Sequence, residues 1–229
     1  MALAASRNIV SSRRPGPSRG AASILPSSSL GRGDQTSPRP WGHDMSYELF
    51  QARAEAVSAE VHRLPDRAAA LEFILDFLKS SGVAEAEGAF ATWAPGAFLE
   101  GLDQPDLAAR VPGLSFAVTR ERAAGTLVGI NQVSWGLANT GSLASDATAI
   151  EGRLVSTLSW IHLAILPTSA ILPDLPALIE RVDPARMGYI ALVTGPSRTA
   201  DIERVLTIGV HGPERLVIVC VDNMGEVDR

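Results

Sequence analysis

The chain of 229 residues is 46% hydrophobic and carries a formal net charge of −5. This composition provides enough apolar material for a sizeable core and excludes a wholly disordered chain, and its acidic balance argues against general nucleic-acid binding. No apolar run approaches the length of a membrane span, and the single cysteine excludes a cysteine-based zinc site or an iron–sulfur cluster held by this chain alone.

Residues 1–44 differ in composition from the rest. They hold six arginines and two acids, a net charge of +4, which leaves −9 for the remaining residues. Serine, proline and glycine are frequent and no apolar stripe recurs, so we predict a disordered extension before a folded domain over 45–229. Three origins stay open: a misplaced start ahead of Met45 or a dispensable tail, an organellar transit peptide, or a functional arm. The expected location is the cytoplasm, or an organelle if the extension is a transit peptide.

Two helices are predicted at the start of the folded domain. Apolar residues fall at helical spacing over 46–64. A second helix is predicted over 66–80, with Asp66 as its N-cap and Gly82 at its C-terminal end.

Short apolar segments then alternate with helical ones. Strands are predicted at 89–93, 114–118, 160–166, 189–193 and 216–221, with helices at 174–182 and 199–206. The last three strands are almost continuously apolar, which predicts strands covered on both faces. The alternation indicates an α/β fold with a mostly parallel central sheet and flanking helices. Three tryptophans and the cysteine are expected in the core: Trp93, Trp135, Trp160 and Cys220.

The segment 193–203 places a Gly-Pro-Ser turn after an apolar strand and before the predicted helix. A helix N-terminus offers unpaired N–H groups and the positive end of a dipole. Ser197 or Thr199 would cap it, and Arg198 would add a fork for a carboxylate or phosphate. The segment is therefore either an anion cradle or a capped helix whose acids complement the dipole. It is not a Walker A loop, because no Gly-Lys-Ser/Thr follows.

A second informative segment, 209–214, surrounds His211 with two glycines and a proline. This histidine would serve either as a base or ligand, or as a hydrogen-bond bridge that fixes the loop. Among the other histidines, His162 lies within a predicted apolar strand, and no pair has the helical spacing of metal ligands. No metal site is predicted.

The segments 195–203 and 209–213, with the turn 139–143 and the region 153–166, resemble the lactate-utilisation C subunit family. These are LUD-domain proteins, also known as the YkgG family, and the resemblance covers residues 46–229. It implies a fold akin to the sugar-isomerase and CoA-transferase superfamily (NagB/RpiA/CoA-transferase-like). It also implies that the protein acts with a cysteine-rich partner and an iron–sulfur partner in oxidising L-lactate to pyruvate. Asn139 departs from the acidic residue that the family usually has before the Thr-Gly turn.

Two functions are compatible with the sequence. The first is a subunit of a lactate-oxidising complex, whose iron–sulfur clusters belong to the partner proteins and not to this chain. The second is a stand-alone binder or enzyme that uses a CoA-transferase-like cleft for a carboxylate, phosphate or CoA-type ligand. The predicted ligand-binding residues are Asn139, Thr140, Gly141, Gly195, Ser197, Arg198, Thr199 and Gly212. The catalytic candidates are His211, Asp201 and Glu203.

Overall fold

The helices and strands alternate along most of the chain. The computed structural model describes residues 43–200, 206–208 and 212–224, so the predicted extension lies outside them apart from its last two positions. The helices are α1 (His43–Ala56), α2 (Arg67–Ser80), α3 (Gln104–Arg110), α4 (Arg120–Ala124), α5 (Ile150–Leu158) and α6 (Leu175–Ile179). The strands are β1 (Ala59–Asp66), β2 (Phe90–Trp93), β3 (Leu114–Ser115), β4 (Thr126–Gln132), β5 (Trp135–Leu137), β6 (Ser142–Asp146), β7 (Ile161–Pro167), β8 (Ile171–Leu172), β9 (Ile190–Val193), β10 (Arg198–Ala200), β11 (Leu206–Ile208) and β12 (Arg215–Asn223).

A six-stranded sheet in the order β1-β12-β7-β4-β2-β3 forms the centre of the fold. Every pairing in it is parallel. One face is covered by α2 and the other by α1, each with its own cluster of buried apolar side chains. The prediction of an α/β fold with a mostly parallel central sheet and flanking helices is confirmed.

A second sheet, which the sequence did not predict, has the order β8-β5-β6-β9. Its strands β5, β6 and β9 pair antiparallel, and β8 joins β5 in parallel. Helix α5 packs on β4 and β7 of the central sheet. Two of the strands have only two or three residues, too few for an alternation of apolar and polar positions to show in the sequence.

The predicted second helix is confirmed over nearly its full length. The Asp66 side chain accepts a hydrogen bond from the Ala69 N–H at 2.8 Å, as an N-cap does. Gly82 has a φ of 82° just after the helix end, the left-handed conformation that favours glycine there. Ile74, Leu75 and Leu78 form its buried face.

The first predicted helix is wrong in its second half. Helix α1 ends at Ala56, Ser58 has a positive φ of 70°, and residues 59–66 form β1. Strand β1 pairs in parallel with β12, starting from Ala59 beside Leu216. Pairing with a central strand therefore overrides the helical spacing of the apolar residues.

The predictions near the C-terminus are also partly wrong. The predicted helix over 174–182 is shorter, as α6, and Asp174 caps it. The helix predicted over 199–206 is wrong at its described ends, because β10 and β11 pair antiparallel at 198–200 and 206–208; residues 201–205 lie outside the described part of the chain. The strand predicted at 189–193 lies at the edge of the second sheet, and it is not covered on both faces, because Leu192 is 51% exposed.

Of the three tryptophans and the cysteine that were expected in the core, two are buried. Cys220 is buried in β12, and this burial raises the pKa of its thiol to about 12, so the thiol stays protonated and inert at neutral pH. Trp93 is buried, Trp135 is only partly buried, and Trp160 is 53% exposed because it lies just before β7. No helix within the described residues is long and apolar enough to cross a membrane.

Candidate functional site

A cleft lies beside the face of the central sheet that α5 covers. It contains two adjoining cavities, of about 350 Å³ and about 110 Å³. Ser156 of α5, His162 of β7 and Val193 of β9 line both cavities. The cleft is thus built from the first sheet, the second sheet and the helix between them.

A buried polar pair lies in the wall of this cleft. Asn131 is in β4 and His162 in the neighbouring β7, and the His162 Nε2 is 2.6 Å from the Asn131 Oδ1. The two residues are 6% and 1% exposed. Burial lowers the pKa of His162 to about 4, so the ring is neutral at physiological pH. Its Nδ1 is buried and has no hydrogen-bond partner.

Close packing of α5 on the sheet shapes this part of the cleft. Gly129 pairs with His162 across the strands. A Cβ at Gly129 would lie 2.3 Å from the Val155 carbonyl oxygen and 2.7 Å from the Ser159 Oγ. Only a glycine therefore lets α5 approach the sheet at this level. On the helix itself, Gly152 faces the Asn131 amide, with 3.7 Å between its would-be Cβ and the Nδ2.

The smaller cavity carries three charged side chains, Asp146, Glu151 and Arg153. Asp146 is engaged locally, because its Oδ1 accepts hydrogen bonds from the Thr148 N–H and hydroxyl. The Arg153 guanidinium lies 5.1 Å from the centre of the Tyr189 ring. Within the described residues no ion pair involves Arg153. It is the cation that this cavity offers to an anionic ligand.

The larger cavity brings together two of the segments singled out in the sequence. Gly195, Ser197, Arg198 and Gly212 all line it. The Ser197 N–H donates to the Pro213 carbonyl at 2.8 Å, and a Cβ at Gly212 would lie 3.2 Å from that of Ser197. The two segments are thus in direct contact, which the sequence alone did not establish.

The chemistry predicted for this turn loses its structural basis. Strand β10 follows the Gly-Pro-Ser turn, so no helix N-terminus is present there to bind an anion. The Arg198 guanidinium instead donates to the Val57 carbonyl at 2.9 Å and to the Ser58 hydroxyl at 2.6 Å. It ties the turn to the end of α1. The side chain of Thr199 and the residues Asp201, Glu203 and His211 lie outside the described part of the chain.

The turn at 139–141 does not line either cavity. Asn139 and Thr140 are exposed, and Gly141 is buried with a φ of 66°. A Cβ at Gly141 would lie 2.2 Å from the Ala54 N of α1. This turn therefore packs against α1, and a ligand-binding role for its residues stays a prediction.

The pair Asn131–His162 and the cation Arg153 were not among the site residues predicted from the sequence. A signal was present for one of them, since His162 interrupts the otherwise apolar run of β7 and a buried polar group requires a partner. That partner, Asn131, is 31 positions earlier in the chain and is identified only by the strand pairing. Among the described residues, no group of three or more His, Cys, Asp or Glu side chains is placed to hold a metal ion.

The parallel sheet, the smaller second sheet and the cleft between them define an α/β protein with a small-molecule-sized site. The chain belongs to the LUD domain family, whose sequence profile matches residues 47–221. The family membership expected from the sequence resemblance is therefore confirmed.

Named relatives match only part of the chain. It is 35% identical over 102 residues to the "Uncharacterized protein YkgG" of Escherichia coli (strain K12), covering 42% of this chain and 44% of that protein. The identity and both coverages are the same for the "Lactate utilization protein C" of Macrococcus caseolyticus: 35% over 102 residues, 42% of this chain and 44% of that protein. For the protein of that name from Bacillus licheniformis they are 34% over 112 residues, or 45% of each chain. The matched segments thus span less than half of these relatives.

A solved structure supports the fold. A DUF162 family protein from Deinococcus radiodurans superposes with a TM-score of 0.56 at 18% sequence identity, covering 80% of this chain and 99% of that one. At this identity the similarity concerns the fold alone. The predicted kinship with the sugar-isomerase and CoA-transferase superfamily stays a prediction.

Proposed function

We propose that this LUD-domain protein is a C-type lactate-utilisation subunit that binds a small carboxylate in its cleft. In the proposed complex L-lactate is oxidised to pyruvate and releases two electrons and two protons. The names of the two matched lactate utilization proteins support the pathway. The proposed partners are a cysteine-rich protein and an iron–sulfur protein, which accept the electrons.

The observation that carries the proposal is Arg153 in the smaller cavity. A guanidinium without an ion pair binds a carboxylate well, because its fork of N–H donors matches the two carboxylate oxygens. The uncharged side chains of Asn131, Gln132 and Ser145 offer further hydrogen bonds. The lining also contains the carboxylates of Asp146 and Glu151, of which Asp146 already accepts two hydrogen bonds from Thr148. At about 110 Å³ the cavity suits a molecule of a few heavy atoms.

The proposed separation of roles, with iron–sulfur clusters on the partner proteins and the organic acid on this chain, follows from the cysteine content. The chain has one cysteine, which is buried, and cysteine thiolates are the usual ligands of iron–sulfur clusters. The electrons therefore pass to clusters on the partner proteins, and this chain binds and orients the organic acid. Its cavity side chains need no redox chemistry of their own.

The test combines binding and growth. Calorimetric titration of the full chain with L-lactate and pyruvate should give saturable binding that Arg153→Gln weakens about 10–100-fold, the range for a lost charge-assisted hydrogen bond. The matched control is Arg186→Ala, at an exposed arginine outside the cleft, which should bind like the wild type. In a host that requires the protein, Arg153→Gln should abolish growth on L-lactate, whereas Arg186→Ala should not.

Three outcomes separate this proposal from its alternative. Co-purification with a cysteine-rich and an iron–sulfur protein from lactate-grown cells supports the subunit function. Tight binding of a phosphate or CoA-type ligand, unaffected by Arg153→Gln, supports a stand-alone binder that uses the larger cavity. Absence of carboxylate binding by both the isolated chain and the co-purified complex contradicts the proposal.

A further inference from the structure

The unpaired nitrogen of His162 points to a ligand. A buried polar atom without a hydrogen bond destabilises the folded state by about 1–3 kcal/mol, and such atoms are rare in native proteins. The strand positions on either side of His162 are Gly129 and Leu216, which have no polar side-chain atom. The His162 ring lines both cavities, so a ligand group bound there would supply the partner that the buried Nδ1 lacks.

Asn131 determines what kind of partner that nitrogen accepts. The Asn131 carbonyl oxygen lies 2.6 Å from the His162 Nε2, and a carbonyl oxygen only accepts hydrogen bonds. The Nε2 therefore carries the ring proton. In a neutral imidazole the other nitrogen then has a free lone pair, so the Nδ1 is an acceptor that requires a donor.

We propose that the Asn131–His162 pair is a hydroxyl-recognition site, in which the His162 Nδ1 accepts a hydrogen bond from an alcohol O–H of the bound acid. This inference rests on the proposed function and specifies its ligand as a hydroxy acid. A keto group in the same position has no proton to donate. The site therefore binds the hydroxy acid in preference to the corresponding oxo acid, the substrate in preference to the product.

The arrangement of the smaller cavity fits a ligand with these two groups. Arg153, Asn131 and His162 line it together, and the proposal places one small molecule against both the cation and the histidine. The carboxylate binds at the guanidinium and the hydroxyl at the imidazole. In this assignment His162 is a binding residue, and Asn131 is a positioning residue that acts by fixing the tautomer.

The direct experiment compares three acids on the full-length wild-type chain. L-Lactate, pyruvate and propionate share the carboxylate and the three-carbon skeleton, but only lactate has a hydroxyl. Lactate should bind roughly three- to tenfold more tightly than either of the others, the effect of one hydrogen bond. Equal affinities for all three would overturn the hydroxyl site while leaving the Arg153 carboxylate site intact. If none of the three acids binds, both the hydroxyl site and the Arg153 carboxylate site are overturned.

A variant of the positioning residue tests the tautomer. In Asn131→Asp the new carboxylate favours the imidazolium, so the Nδ1 becomes a donor and the ratio of lactate to pyruvate affinity should fall below that of the wild type. Imidazole ¹⁵N NMR should show Nε2 protonated and Nδ1 unprotonated in the wild type at neutral pH, and both protonated in the variant. The control is Thr92→Ala, which breaks the buried Thr92–Thr126 hydroxyl contact of 2.7 Å in the same sheet and should keep the ratio.

His162→Gln supplies the second variant. Its amide N–H₂ retains a donor towards Asn131, and it has no acceptor at the position of the Nδ1. Lactate affinity should fall to that of propionate, with pyruvate and propionate nearly unchanged. An unchanged lactate preference in this variant, or a wild-type ¹⁵N spectrum with the proton on Nδ1, would overturn the proposal.

Discussion

The Ser142 Oγ and the Thr194 Oγ1 lie 2.7 Å apart, although they are 52 positions apart in the chain. The Ser142 hydroxyl also contacts the Thr140 Oγ1 at 2.8 Å. This short chain of hydroxyls joins the turn at 139–141 to the turn that begins at Thr194. Both turns pack against the C-terminal end of α1 through Gly141 and Gly195. Two of the segments that carry the family resemblance thus form one structural joint.

Alanine at either glycine of this joint should destabilise the fold. Gly141 and Gly195 have φ values of 66° and 68°, and a Cβ would lie 2.2 Å and 2.3 Å from backbone atoms of α1 and the turn that follows it. We expect Gly141→Ala and Gly195→Ala each to lower the free energy of unfolding by about 2–4 kcal/mol, measured by urea denaturation. Gly82→Ala is the control: its φ is 82° but nothing lies within 4 Å, so it should cost only about 1 kcal/mol. Equal losses in all three would show that the close packing contributes nothing.

Two glycines at the α5 interface should respond in opposite directions. Gly129→Ala places a Cβ 2.3 Å from the Val155 carbonyl oxygen and should destabilise the chain by about 1–3 kcal/mol. Gly152 lies inside α5 with only the Asn131 Nδ2 at 3.7 Å. Gly152→Ala should therefore stabilise by about 0.5–1 kcal/mol through its better helix propensity. Thermal melting of both variants checks the signs, and a stable Gly129→Ala protein would contradict the packing described.

The separate roles of two arginines give a third prediction. Arg198 holds the end of α1 through Val57 and Ser58, whereas Arg153 lines the smaller cavity. Arg198→Ala should lower the free energy of unfolding by about 0.5–1.5 kcal/mol and leave carboxylate affinity unchanged. Arg153→Gln should weaken carboxylate binding and leave the free energy of unfolding nearly unchanged. Loss of carboxylate affinity in Arg198→Ala would instead support an anion site at the Gly-Pro-Ser turn.

Stability should depend on pH through His162. Its pKa falls from 6.5 to about 4 on folding, so between these values the unfolded chain binds a proton that the folded chain does not. The free energy of unfolding therefore rises with pH across this window, by at most about 3 kcal/mol, and the full contribution is present above pH 6.5. Urea denaturation from pH 4 to 7 should show a smaller rise in His162→Gln than in the wild type. Parallel curves for the two proteins would mean that His162 does not titrate differently on folding.

The sequence predicted those elements whose signals are local. Helix α2 has its cap at Asp66 and its glycine at Gly82, and the buried strands β7 and β12 read as apolar runs. The strand β1 was missed because its pairing partner is more than 150 positions away, and tertiary pairing overrode a helical spacing. The helix predicted over 199–206 is contradicted at its described ends by a pairing between neighbouring segments, since Arg198–Ala200 pairs antiparallel with Leu206–Ile208.

The candidate site was less predictable than the fold. The convergence of Ser197 with Gly212 and Pro213 depends on long-range contacts. The pairing of Asn131 with His162 follows from the register of β4 against β7, which a single sequence does not specify. The sequence does show one of the site residues, because His162 is a histidine inside an otherwise apolar strand. The structure adds that this histidine is buried and that its Nδ1 has no hydrogen-bond partner.

The most direct test of the account is a calorimetric titration of the wild-type chain and His162→Gln with L-lactate and pyruvate under identical conditions. The account predicts saturable binding of both acids to the wild type, with lactate roughly three- to tenfold tighter, and loss of that preference in the variant. Wild-type binding in which pyruvate equals or exceeds lactate, or a preference that survives in His162→Gln, would contradict it.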